Sequence, residues 1–156
     1  MDIRNLTRQI KRALMHPEGD IPELLFNNKK TQHACRLFLD FLKLKGSCTR
    51  EELSQFATDL HEGRIDKGFS FSRNKFYWTI RSTLLALGLI QIQDRFFEIQ
   101  TVDLMPERGK RKNVHEVYSV VKQPISTRPP DGIHLPRYCW ILCKKWNDEF
   151  LQEQRK

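Results

Sequence analysis

The chain has 156 residues, 39% hydrophobic and 29% charged, which is enough apolar material for one core with accessory elements and too much for a disordered chain. Its 27 Lys and Arg outnumber 19 Asp and Glu, a formal charge of +8, and that surplus suits a polyanionic partner (DNA, RNA or an anionic membrane surface) without choosing among them. No apolar run approaches the about 18 to 20 residues that span a bilayer, Met1-Asp2-Ile3-Arg4-Asn5 has no signal-peptide core, and Cys35, Cys48, Cys139 and Cys143 make no dense secreted framework; a cytoplasmic protein with no membrane partner is expected.

In chain order, Ile3, Leu6, Ile10, Ala13 and Leu14 recur at helical spacing, with Arg4, Arg8, Lys11 and Arg12 on the other face. His16-Pro17-Glu18-Gly19-Asp20 breaks that helix, and Ile21 to Phe26 suits a short second one. Thr31 is the expected N-cap of a third helix, whose stripe is Ala34, Leu37, Phe38, Phe41, Leu42 and Leu44 and which ends at Gly46. Thr49 followed by Glu52 is a capping box, and the helix after it carries Leu53, Phe56, Ala57 and Leu60 on one side. The Gly46-Ser47-Cys48 link between these helices suits a helical hairpin or helix-turn-helix.

A polar loop, His61 to Gly68, precedes Ser72, the expected cap of a helix from Arg73 to about Leu87 that stops at Gly88. Three strands are expected next: Leu89 to Gln93, Arg95 to Val102, and Asn113 to Val121. The turn before the last of them, Met105 to Lys112, is strongly basic. Pro124, Pro129 and Pro130 mark an irregular connector. Pro136 opens a final helix with Leu135, Cys139, Leu142, Trp146 and Phe150 on one side. No internal repeat is evident.

The order helix, helix, helix, strand, basic hairpin resembles the winged helix-turn-helix superfamily of DNA-binding proteins over about residues 31–122. The Thr49-Arg50-Glu51-Glu52-Leu53 entry, the Leu84-Leu85-Ala86-Leu87-Gly88-Leu89-Ile90 exit and the hairpin after it carry the likeness; the loop from His61 to Phe71 is longer than the motif's usual tight turn. The resemblance implies an α+β, mostly α fold: a winged-helix core of three helices plus a β-hairpin wing, with extra N- and C-terminal helices. The expected organisation is one globular unit, with residues 1–30 an N-terminal helical extension, 31–122 the winged-helix domain, 123–134 a Pro-rich connector and 135–156 the C-terminal helix. It also implies that the third helix enters the major groove while the wing touches backbone or minor groove.

At 100° per residue, Phe76, Ile80, Thr83, Leu84 and Leu87 face the core while Asn74, Lys75, Trp78, Arg81 and Ser82 fall opposite. No carboxylate occurs from Ser72 to Gln93, whereas a solvated helix face usually mixes both signs. The expected DNA contacts are Arg73, Asn74, Lys75, Trp78, Arg81 and Ser82, with Arg108, Lys110, Arg111 and Lys112 of the basic tip. Trp78 is a base- or sugar-stacking group or, more in keeping with how Trp is usually buried, a side chain packed under the wing or first helix.

Cys139 and Cys143 with His134 lack the paired spacing of a zinc site, so buried free thiols are expected and no metal or other cofactor. No nucleophile, metalloprotease or phosphate-loop motif occurs, and an enzyme is not expected. The function read from these residues is sequence-specific double-stranded DNA binding, as in a transcriptional regulator. The alternatives are a winged-helix protein–protein interaction module built on Trp78, Leu85 and the C-terminal aromatics, and a replication or mobile-element DNA-binding protein. The terminal helices, through Leu142, Trp146 and Phe150, are the expected contact in a homodimer. No small-molecule ligand is evident.

Overall fold

The computed structural model describes residues 3–15, 18–96, 114–130 and 135–151. They form a mixed, mostly helical α+β fold with one small antiparallel sheet. The basic helix α1 (Ile3–Met15) leads into α2 (Ile21–Leu25). Asp20 caps α2 by accepting from the Glu23 N–H at 3.1 Å, and Pro22 sits in its first turn, where no N–H is needed. Arg36 of α3 (Lys29–Lys45) bridges Asp20 and Glu23 and so fixes α2 against α3.

Asn28, not Thr31, caps α3, accepting from the N–H groups of Lys30 and Thr31 at 2.9 and 3.3 Å. Thr31 lies one turn inside the helix and is buried. Gly46 ends α3 at φ 73°, a conformation that favours glycine, with its N–H donating to the Leu42 carbonyl at 2.7 Å. The link after it is a strand, β1 (Ser47–Thr49), rather than a bare turn. The capping box then forms as expected: Thr49 Oγ1 accepts from the Glu52 N–H and the Glu52 carboxylate accepts from the Thr49 N–H, starting α4 (Arg50–His61).

The long loop after α4 is tied down at its far end. Phe71 is 1% exposed, and the Ser70 hydroxyl donates to the His61 carbonyl at 2.6 Å. Ser72 caps the helical segment that follows, but the segment is not one regular helix. It opens as α5 (Arg73–Lys75), widens into a π turn over Phe76–Arg81, and returns to α geometry as α6 (Ser82–Ala86).

Strand β2 (Ile90–Phe96) runs on through Asp94, where two separate strands were expected, and pairs with β3 (Val114–Val120). The sheet order is β1-β3-β2, all antiparallel, in register Cys48↔Tyr118 and Ile92↔Tyr118.

The core gathers around Phe38, Phe56 and Phe76, whose ring centroids lie 5.1 to 5.7 Å apart, with Leu42, Leu53, Leu60, Ile80 and Leu84 fully enclosed beside them. The last helix, α7 (Leu135–Leu151), is built into this core. Trp146 is wholly buried and its indole N–H donates to the Val121 carbonyl at 3.0 Å; the Tyr138 hydroxyl donates to the Leu24 carbonyl at 2.7 Å. The expected dimer contact is corrected accordingly. Leu142, Trp146 and Phe150 are at most 9% exposed and are spent inside the same chain. Toward the start of α7 the expected apolar side fails too: Leu135 is 51% exposed, Cys139 is exposed and Cys143 is only half-buried, while Tyr138 takes the inward place. Among the described residues no helix is long and apolar enough to cross a membrane.

Candidate nucleic-acid interface

The segment Arg73–Ala86 buries one side and opens the other. Phe76, Ile80 and Leu84 are fully enclosed, as their spacing predicts. Leu87, expected on the same side, is 47% exposed because it lies past the end of α6. Opposite the core, Asn74 and Lys75 are exposed and Trp78 is 80% exposed. Trp78 is thus not packed beneath any of the described residues. A large indole held in water by a rigid helix is costly unless something covers it.

The other expected contacts are turned elsewhere. The Arg73 guanidinium donates to the Ser54 carbonyl at 3.0 Å, to the Ser54 hydroxyl at 3.3 Å and to the Thr58 hydroxyl, joining the segment to α4. Arg81 donates to the Tyr118 hydroxyl at 3.2 Å. The Ser82 hydroxyl donates to the carbonyl of Tyr77, five residues back, at 2.8 Å, so it serves the helix itself. Arg73, Tyr77 and Arg81, spaced four apart and so on one side of the segment, form a column: the two guanidinium groups lie 5.7 and 5.1 Å from the Tyr77 ring centroid.

Beside the open face this column lines a cleft of about 580 Å³, between α4, the π turn and strands β2 and β3. Arg50, at the start of α4, faces it, as do Ile92, Glu116 and Tyr118. The sequence reading missed Arg50, Tyr77 and Tyr118. The only sequence signal for the π turn is the Ser82 hydroxyl, which competes for a backbone carbonyl.

Arg108, Lys110, Arg111 and Lys112, the expected basic tip, lie outside the described residues, as does His134; the last described pair of the hairpin is Phe96↔Val114. Among the described residues no group of three His, Cys, Asp or Glu side chains could hold a metal ion. Comparison with protein-family models, curated proteins and solved structures gives no match to this chain.

Proposed function

We propose that the chain is a winged-helix protein that binds double-stranded DNA through the outer face of the Arg73–Ala86 segment, reading sequence as a transcriptional regulator does. The observation that carries the reading is the exposed face of a segment that holds no carboxylate, on which Asn74, Lys75 and Trp78 stand together. Asn suits a bidentate contact to adenine, Lys a phosphate, and an exposed indole a sugar or base face. The fold is compatible: α3, α4 and the Arg73–Ala86 segment are followed by the β2–β3 hairpin, and β1 closes the sheet beside it. The basic tip, residues 108–112 by sequence, is assigned to the phosphate backbone or minor groove next to the contacted groove.

The division of labour differs from the face expected at uniform helical spacing. Asn74 and Trp78 carry the base or sugar contacts, and Lys75 the phosphate contact. Arg73 and Arg81 hold the segment from behind.

Selection from a random duplex pool, against RNA competitor and across salt concentrations, tests the proposal. Wild type enriches a defined duplex. Lys75→Ala weakens every duplex alike and lowers the salt slope by about 1, whereas Asn74→Ala costs about 1 to 3 kcal/mol and relaxes preference at one position. A pool with no enrichment, or a Lys75→Ala/Trp78→Ala double variant that shifts duplex as wild type does, overturns the reading.

A further inference from the structure

The cleft behind the reading face has chemistry of its own. Three arginines line it, Arg50, Arg73 and Arg81, and none has a carboxylate partner among the described residues. Two other arginines are neutralised by carboxylates: Arg36 by Asp20 and Glu23, Arg64 by Asp59 and Glu62. In the cleft the arginines are positioned by neutral groups instead. Arg73 is held by a carbonyl and two hydroxyls, and Arg81 by a phenol. Their orientation is fixed while their charge is left uncompensated.

A second observation points to a ligand. The Arg81 Nε–H is buried and has no acceptor among the described residues. A buried donor of a charged group without a partner is costly, and such groups call for an explanation. Glu116, the one carboxylate among the described lining residues, forms no ion pair with any of the three, so its charge lowers the cleft's positive potential without filling it.

We propose that Arg50, Arg73 and Arg81 form a binding site for one phosphate-class oxyanion. Guanidinium groups present planar, paired donors that match phosphate oxygens, and Arg81 keeps one donor, its buried Nε–H, without an acceptor among the described residues. The cleft volume is that of a small-molecule site rather than of a lone ion, so the phosphoryl group arrives attached to something larger. Two sources share this chemistry: a backbone phosphate of bound duplex, or the phosphoryl group of a free small molecule. The site stands on its own geometry and does not rest on the duplex reading.

Thermal unfolding and calorimetry of the full chain with inorganic pyrophosphate, against chloride at equal ionic strength, test it. At a hundredfold excess over Kd the wild type melts roughly 5–10 °C higher. Arg50→Gln, at an exposed position, loses that shift without loss of fold. Arg81→Lys, which keeps the charge but removes Nε, weakens binding at least tenfold. Glu116→Gln tightens it roughly two- to fivefold, a gain that a purely structural role for the cleft does not give. If pyrophosphate also competes with duplex, and Arg50→Gln lowers duplex affinity and its salt slope, the natural oxyanion is a backbone phosphate. If pyrophosphate binds and duplex binding is untouched, it is a free phosphorylated molecule. No pyrophosphate-specific shift in wild type, or an equal shift in Arg50→Gln and Arg81→Lys, overturns the site. That result leaves the duplex proposal standing, because the duplex proposal is judged on Asn74, Lys75 and Trp78.

Discussion

Glu52 does two jobs with one carboxylate. It accepts from the Thr49 N–H at 3.0 Å and pairs with Lys45 at 3.2 Å. The backbone hydrogen bond first, and Lys45 second, hold its pKa below the usual carboxylate value. A depressed folded-state pKa stabilises the fold at pH above the unfolded value, and that stability is lost as pH falls through the folded value. The side chain is 40% exposed, so solvent screening limits the contribution to less than about 1 kcal/mol. Glu52→Gln should therefore be less stable than wild type at pH 6 to 7, with the gap closing toward pH 3, by urea denaturation across pH. A gap independent of pH would show that the carboxylate's charge contributes nothing. This pairing was legible in the sequence, because a capping box is a local device whose partners lie three residues apart. The exposure of Trp78 was not, because a residue type reports an average burial while its own burial depends on which distant segments reach it.

Among the elements, those defined by spacing and punctuation were legible: α1, α2, the body of α3, α4 and α7 stand close to where apolar periodicity, Gly46 and Pro136 put them. The π turn was not. Uniform 100° spacing correctly sends Phe76, Ile80 and Leu84 inward and sets Arg73, Tyr77 and Arg81 along one flank, but not the contacts of the two arginines with α4 and β3. Those long-range contacts sort the expected contacts into a reading face and a cleft. Strand β1 was equally hidden, since three residues are too few for a period and its pairing partner, Val117 to Ser119, lies some seventy residues on. The exit of β3 rests on a comparable long-range device. Asn147 of α7 exchanges two hydrogen bonds of 2.8 Å with the backbone of Gln123, and the Gln123 side chain donates to the Gly88 carbonyl at 2.8 Å. Asn147→Ala leaves a buried N–H and a buried carbonyl without their partner, at a cost of about 1 to 3 kcal/mol for the pair. A lowered urea midpoint, with faster hydrogen exchange at the Gln123 amide, is the expected outcome; an unchanged Gln123 amide would mean that α7 does not hold that strand exit.

For the whole molecule, the question is whether α7 is an appendage or part of the fold's single cooperative unit. Trp146 is fully buried against Phe150, ring centroids 4.3 Å apart, and bonded to Val121. Lys43 of α3 meets Glu149 and lies over the Phe150 ring. These contacts tie the last helix to α3 and to the end of β3, so losing them should loosen the core at a distance. Trp146→Ala is expected to cost about 3 to 5 kcal/mol. The thiols report where that cost is felt. Cys35 in α3 and Cys48 in β1 are at most 1% exposed, and burial raises both pKa values, that of Cys48 to about 11, so each reacts with a thiol reagent only when the structure opens. In a cooperative unit the cost of losing Trp146 appears as an equal rise in the open population, and labelling of Cys35 and Cys48 accelerates together by roughly a hundredfold to a thousandfold or more. The exposed Cys139 is the internal control, since its reagent access needs no opening. If Cys48 stays protected while the helix carrying position 146 melts, α7 is an appendage on a separately stable core, and the buried Leu142–Phe150 face becomes available to another partner in the opened form.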